Sequence, residues 1–394
     1  MPHSRVRGDF SMDRRVKRHR FHQNCMTVMR VVLGPLVRRI YGFRIDRPAT
    51  VPEPFLVVAN HVTAADPALL PQSFKQQMYF VASEHLMQKG LPSKLLRFVF
   101  DPIVRRKGDS AVTAVKEMLT CLKNGQNVCV FPEGTCSFDG TNSPMLPTIG
   151  RLAKTAGVTL VTYRFEGGYF TLPRWGRGIR RGSFRGHIVN TYAPEALKTM
   201  SVSEVNAAIV ADLNENAYAR QEQLHAVYKS KCRAEYLESA FFLCPACKRV
   251  GTIETRGDAI RCSCGLSGRL DEQYRLIDLP VSTLSEWDVL ALAWLKAHAA
   301  DPDFSFADAD AVLWENDDAH RKKQLCAGPM RMTRDGFSVG DRAFALSDIS
   351  DMELVRRNLL VFSTRGAHYQ VSGCPSLNTR KYMLLYHILK GTES

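Results

Sequence analysis

Apolar and polar positions follow different rhythms in different parts of the chain. Across residues 20–44, Met26, Met29, Val32, Leu33, Leu36 and Ile40 recur at helical spacing, with Arg30, Arg38 and Arg39 set among them. That period predicts an amphipathic helix, interrupted at Gly34-Pro35. From about residue 50, short apolar runs of strand type take over: 55–59, 79–82, 98–104, 127–131 and 158–165. Between the third and fourth runs, Val112, Val115, Met118, Leu119 and Leu122 predict a helix over 109–123, stopped at Gly125. Strands alternating with helices predict an α/β domain, its sheet mainly parallel with helices on the faces.

The second half reads differently. Residues 203–228 carry a helical pattern, and a polar stretch, 229–238, precedes a group of cysteines. Thr283 and Glu286 have the spacing of a capping box that opens a helix with Trp287, Leu290 and Trp294 on one face. Acidic residues dominate 301–318. From Pro329 onward, short alternating runs punctuated by Asp335-Gly336 and Gly340-Asp341 predict β-hairpins, and 378–389 closes as an apolar helix. This last part resembles, in pattern only, a small β-barrel capped by a helix, of the pleckstrin-homology kind. The segmentation that follows is a basic amphipathic piece at 1–46, the α/β domain at 47–230, a cysteine module at 241–270, a helical linker region at 283–318 and a β-rich domain at 327–394.

Composition changes this picture in two ways. At 45% hydrophobic and 23% charged, the chain has enough apolar residues for packed cores, which excludes disorder over most of its length. The net charge of +14 is concentrated. Residues 1–46 hold eleven Arg and Lys against three Asp, and Arg164, Arg174, Arg177, Arg180, Arg181 and Arg185 stand against Glu166 alone. Such patches suit anionic partners, either lipid head groups or nucleic acid phosphates, and charge by itself does not choose between them. No apolar run reaches the roughly 18 residues that span a bilayer, so the 20–44 segment is expected to lie in the membrane interface, held by its charges.

The chemistry is carried by two motifs, each at the exit of a predicted strand. The first is Asn60-His61-Val62-Thr63-Ala64-Ala65-Asp66, and the second is Phe131-Pro132-Glu133-Gly134-Thr135-Cys136-Ser137. In open α/β sheets ligands bind at the carboxyl ends of the strands, so both motifs should face one cleft. A neutral imidazole near pKa 6.5 can take a hydroxyl proton at physiological pH. A carboxylate beside it orients the ring and stabilises the imidazolium as it forms.

This pairing resembles the glycerolipid acyltransferase family, which includes the 1-acyl-glycerol-3-phosphate acyltransferases. The family is marked by N-H-x-x-x-x-D and F-P-E-G-T-R-S motifs about 70 residues apart; here His61 and Glu133 are 72 positions apart. The resemblance covers about residues 50–200. It implies His61 and Asp66 as the catalytic pair, with the substrate hydroxyl attacking directly, and Glu133, Gly134 and Thr135 as the grip on the glycerol end of the acceptor. Cys136 stands where the family has an arginine that contacts the acceptor phosphate, and a thiol cannot reproduce a guanidinium fork. Either other basic residues hold the phosphate, or the acceptor is not lysophosphatidic acid. The run 102–108 resembles the family's third block, which implies Arg106, with Arg105 beside it, as substrate-binding residues. The fourth block keeps its strand at 158–161 but lacks the family's proline.

Cys244 and Cys247, then fourteen residues, then Cys262 and Cys264, read as a ribbon of four thiolates for a structural zinc. Four cysteines close the coordination sphere and leave no place for substrate. Taken together, the sequence predicts an acyltransferase that moves a fatty acyl group from acyl-CoA or acyl-carrier protein to a lysophospholipid. It would sit as a peripheral or monotopic protein on the cytoplasmic face of a membrane, with lipid and not nucleic acid as its partner. The competing reading is a nucleic-acid-binding or regulatory protein on a degenerate acyltransferase scaffold, in which the ribbon and the basic patches do the work.

Overall fold

A computed structural model describes residues 6–83, 91–105, 111–316, 322–364 and 366–392 of the 394-residue chain. The chain divides into two compact units. One comprises Met1–Ser137, Thr141–Thr171 and Arg181–Arg220, and the other Phe138–Gly140, Leu172–Arg180 and Gln221–Ser394.

The first unit is organised around seven strands: β1 (Phe43–Ile45), β2 (Phe55–Ala59), β3 (Met78–Ser83), β4 (Ile103–Arg105), β5 (Asn127–Val130), β6 (Thr159–Glu166) and β7 (Phe184–Tyr192). Their order is β1-β7-β6-β2-β5-β3-β4, and among these strands only β6 and β7 pair antiparallel. The fold is therefore α/β with a mainly parallel sheet. All five residues of β2 are buried, as a strand covered on both faces requires. Its two sides differ in character. Leu56 and Val58 join Met118, Leu122, Ile149, Leu152, Val205 and Ile209 in one cluster, built with helices α5 (Ala111–Lys123), α6 (Ile149–Ala156) and α9 (Val202–Leu213). Phe55 faces the opposite way and stacks on Phe74, with ring centroids 5.8 Å apart. Helix α9 begins at a capping box, in which Ser201 Oγ accepts from Glu204 N–H and Glu204 accepts from Ser201 N–H. The helical pattern over 203–228 is divided by Asn214 and Asn216 into α9 and α10 (Ala217–Leu224).

The predicted strand at 98–104 is divided: α4 (Leu91–Phe100) takes its first three residues, and only Ile103–Arg105 is extended. Asp101, at φ 39°, turns the chain between them. At the N-terminal end, α1 (Val6–Val28) passes through one π-helical turn, Met29–Leu33, into α2 (Gly34–Tyr41). A one-residue slip of this kind breaks the 3.6-residue phase. Met26 is accordingly buried, whereas Val28, Val31, Val32, Leu33, Leu36 and Ile40 are exposed. Nor are all the arginines of this segment outward. Arg15 is buried, donates to the Asp101 and Pro102 carbonyls and pairs with the Glu117 and Asp101 carboxylates.

The second unit holds two antiparallel sheets. The smaller has β8 (Ile253–Arg256), β9 (Ala259–Cys262), β10 (Ser267–Leu270) and β11 (Leu276–Ile277) in the order β11-β10-β9-β8. The larger runs β15-β14-β13-β12-β18-β17-β16. Its strands are β12 (Phe306–Asn316), β13 (Lys322–Met332), β14 (Gly336–Val339), β15 (Arg342–Ala345), β16 (Asp351–Val355), β17 (Leu359–Thr364) and β18 (Ala367–Ser372), followed by helix α12 (Arg380–Lys390). The acidic stretch expected to be a linker is largely β12. Phe306, Ala311 and Leu313 point into the core, and Asp308 is held by Lys381 Nζ at 2.8 Å. Helix α11 (Leu284–Ala299) is capped by Thr283, while Glu286 reaches back to Ser282 N–H. Trp287 is buried and donates to the Leu243 carbonyl.

Candidate active site

Strands β2 and β5 are parallel neighbours, with Leu56 opposite Val128 and Val58 opposite Val130. The two motifs therefore leave the sheet side by side at the same end. Asn60 extends the β2–β6 ladder with its side chain: Nδ2 donates to the Phe165 carbonyl at 2.9 Å and Oδ1 accepts from Phe165 N–H at 2.7 Å. His61 is the next residue, fixed at a strand end.

Asp66 opens helix α3 (Asp66–Leu69) and is fully buried. Its Oδ2 accepts from Val62 N–H (2.8 Å) and Thr63 N–H (2.9 Å) and lies 2.9 Å from His61 Nδ1. Its Oδ1 accepts from Thr63 Oγ1 at 2.6 Å. The five-residue spacing of the motif thus closes a turn around one carboxylate. In the neutral ring, donation from Nδ1 to Asp66 leaves Nε2 as the lone-pair nitrogen of His61. The ring lies on Phe131, centroids 4.5 Å apart, and Nε2 is 3.5 Å from Cys136 Sγ. Burial alone would lower the His61 pKa. The Cys136 sulfur and the hydrogen bond to Asp66 outweigh it and hold the imidazole well above its ordinary value.

Glu133 joins the motifs from the other side. Its Oε1 accepts from His61 N–H (2.9 Å) and from Asn142 Nδ2 (3.0 Å), and its Oε2 from Ser143 N–H (2.7 Å). Burial pushes this carboxyl up to about 7, and the three donors restrain the rise. Ser137 N–H adds a second link, to the His61 carbonyl at 3.3 Å. Gly134 takes φ +68° with nothing within 4 Å of where a Cβ would stand, so its backbone conformation and not crowding calls for glycine. Gly134 is exposed, and Thr135 and Cys136 are half-buried.

The other sequence-derived candidates are placed as follows. Arg105 is the last residue of β4, at the sheet edge. Its side chain and the whole of Arg106 lie outside the described residues. In the arginine cluster, Arg180 is buried over the Trp175 and Tyr274 rings and donates to the Cys232 and Arg233 carbonyls. Arg174 donates to the Arg356 carbonyl at 2.7 Å, and Arg185 pairs with Asp46 at 3.2 Å. These arginines serve the packing of their own units.

Cys244, Cys247, Cys262 and Cys264 bring their sulfurs within 4.8 Å of one another. The Cys247–Cys262 and Cys244–Cys264 separations are 3.8 and 4.0 Å. A tetrahedral zinc with bonds near 2.3 Å spaces its sulfurs about 3.8 Å apart, so the set fits such an ion. Each cysteine pair is followed by a left-handed residue, Lys248 (φ +59°) or Gly265 (φ +94°), and these bends let the tighter second pair close. Sequence reasoning missed Thr63 and Asn142 as supports. Thr63, three residues before Asp66, has the spacing of a local side-chain turn; Asn142 carried no comparable signal.

Residues 42–166, which contain every group around His61 described above, match the family model described as Acyltransferase. Among solved structures the chain is similar to the 1-acyl-sn-glycerophosphate (LPA) acyltransferase PlsC of Thermotoga maritima. The match has 22% identity and a TM-score of 0.43, and covers 55% of this chain and 88% of that one.

Proposed function

We propose that the protein transfers a fatty acyl group from acyl-CoA or acyl-carrier protein to the hydroxyl of a lysophospholipid, with 1-acyl-glycerol-3-phosphate as the first acceptor to test. The observation that carries this is the histidine at the strand end, oriented by buried Asp66 and tied through its backbone to Glu133. Nε2 takes the acceptor's hydroxyl proton, and Asp66 stabilises the imidazolium that results. Glu133 holds the His61 backbone and residues 142–143, so its part is to position the loop. Exposed Gly134 and half-buried Thr135 lie on that loop and are assigned to contact with the acceptor.

Two further assignments belong to this reading. The exposed apolar side chains between Val28 and Ile40, beside Arg38 and Arg39, suit a helix lying in the interface of a membrane with anionic head groups. Among the described residues no helix is long and apolar enough to cross a bilayer. We place the protein as a peripheral or monotopic one on a cytoplasmic membrane face, with the four-cysteine set holding a structural zinc.

The test uses the purified full chain, acyl donor and lysophospholipid in mixed vesicles. Wild type should release the donor thiol in step with acceptor acylation, and His61→Ala should lose at least about 100-fold. Equal inertness of both proteins with either donor and several acceptors, with salt-sensitive nucleic acid binding retained, would instead favour the regulatory reading.

A further inference from the structure

Two routes of hydrogen bonds tie His61 to the end of strand β6. The shorter passes through the Asn60 carboxamide, which engages both backbone groups of Phe165. The longer begins at His61 N–H and runs through side chains. Glu133 Oε1 accepts from that N–H and from Asn142 Nδ2, and Asn142 Oδ1 in turn accepts from Glu215 N–H at 2.6 Å. The Glu215 carboxylate is 4% exposed and accepts from Gly167 N–H at 3.2 Å, two residues past Phe165. The two routes close a ring around the strand ends that carry both motifs. With an acceptor on one side and a donor on the other, the Asn142 carboxamide has one orientation that serves both neighbours.

Glu215 is itself anchored. Arg220 Nη2 lies 2.7 Å from its Oε2 and 3.0 Å from Oε1 of Glu166, the last residue of β6. Asn216, beside it, accepts from Tyr218 and Ala219 N–H at the start of α10 and pairs with Thr141 in an isolated bridge next to Asn142. A buried carboxylate met by a guanidinium and a backbone donor is both compensated and fixed in direction. This anchor stands between α9 and α10, beyond residue 166, where the family match ends. Hydrogen bonds in a buried chain polarise one another, so the pull of Glu215 N–H on Asn142 Oδ1 strengthens the donation from Nδ2 to Glu133.

We propose that Asn142 and Glu215 are positioning residues for the acyl transfer. Glu215, held by Arg220, aims the Asn142 carboxamide at Glu133, and Glu133 then fixes the His61 backbone from which the ring reaches Asp66 and the acceptor. The proposal rests on the acyltransferase reading above and leaves direct attack by the acceptor hydroxyl unchanged. Neither residue acts on the reacting atoms. Losing either one displaces Nε2 from the hydroxyl it must deprotonate, so the cost falls on kcat and not on KM for the donor.

The experiment follows thiol release by the full chain with palmitoyl-CoA and 1-acyl-glycerol-3-phosphate. Beside it run a thermal melt and the proton resonance of His61 Nδ1–H, identified by its absence from His61→Ala. Asn142→Ala should lose about 30-fold in kcat, with KM for palmitoyl-CoA within about threefold of wild type, and should shift that resonance. Glu215→Ala should follow the same pattern at about tenfold. In a Glu133→Gln background, Asn142→Ala should cost no more than about threefold further, because the route is already broken. If Asn142→Ala does not fold, Asn142→Ser takes its place, since its hydroxyl is too short to reach both Glu133 and Glu215 N–H. Wild-type kcat in either folded variant, or losses that add fully in the double variant, overturns the positioning role and leaves the acyltransferase reading intact. Wild type that transfers to no acceptor removes that reading, and the resonance then decides: unmoved in Asn142→Ala, it overturns the brace as well.

Discussion

Replacing Asp66 by asparagine changes one atom and removes one charge from the site. The carboxylate now meets four donors: three converge on Oδ2, and the Thr63 hydroxyl donates to Oδ1. An asparagine whose oxygen takes the Oδ2 position keeps the first three, and its Nδ2 can donate to Thr63 Oγ1 once that hydroxyl rotates. The turn should therefore persist, weakened by about 1–2 kcal/mol as charge-assisted bonds become neutral ones. The loss falls on the transition state, in which His61 is an imidazolium with Nδ1 2.9 Å from the missing charge. At an effective dielectric near 20, a unit charge pair at that distance is worth about 6 kcal/mol. The amide oxygen still presents a partial negative charge, so about 4 kcal/mol remains to be lost. At 1.36 kcal/mol per decade this is roughly 10³-fold in kcat/KM. Thiol release at neutral pH, run beside a thermal melt, measures both quantities. A folded Asp66→Asn enzyme within about tenfold of wild type would refute the assignment of that charge to the transition state.

The carboxyl of Glu133 titrates near 7 when folded, against 4.5 as its ordinary value. Between those values the native state holds the proton more tightly than the unfolded chain, so stability falls as pH rises, by up to about 3 kcal/mol. Urea melts at pH 5 and 8 should show this slope in wild type and a flatter one in Glu133→Gln; parallel slopes would count against it. The four-cysteine set should carry about one zinc per chain, released on denaturation and absent from the Cys247→Ser/Cys262→Ser double variant. A metal-free wild type with an unchanged melt would rule the ion out. On the N-terminal helices, Val32→Asp with Leu36→Asp should weaken sedimentation with anionic vesicles by about 100-fold or more. Thiol release with a soluble short-chain acceptor should be unaffected, and unchanged vesicle binding would put the membrane surface elsewhere.

The parts of this molecule that were readable in advance are those in which neighbours in sequence determine the outcome. The run at 55–59 announces a strand covered on both faces, and the closure of Asp66 on Val62 and Thr63 is local enough for its spacing to show. The misreadings share a different cause. Three apolar residues at 98–100 fit either period, and a single left-handed residue, Asp101, decided where helix gave way to strand. The acidic residues of β12 occupy a strand whose inward positions are Phe306, Ala311 and Leu313, a pattern hidden by the density of charge and by bulges in its pairing. Strand β7 was likewise concealed among arginines, its buried Phe184 and Gly186 separated by exposed Arg185. Glu133 shows a third limit. Its residue type was legible, but its partners, His61 at 72 positions and Asn142 and Ser143 at 9 and 10, are set by tertiary folding.

The carboxamide of Asn60 makes the histidine loop, in effect, one more rung of the sheet. With both backbone groups of Phe165 engaged, His61 can shift only if two adjoining strands shift with it. Under the proposed reaction, a base mounted this stiffly does not adapt to the shape of what it deprotonates. Breadth or narrowness of acceptor choice in such a protein must then come from the more yielding walls around it, and engineering aimed at new acceptors should leave residues 60–66 alone.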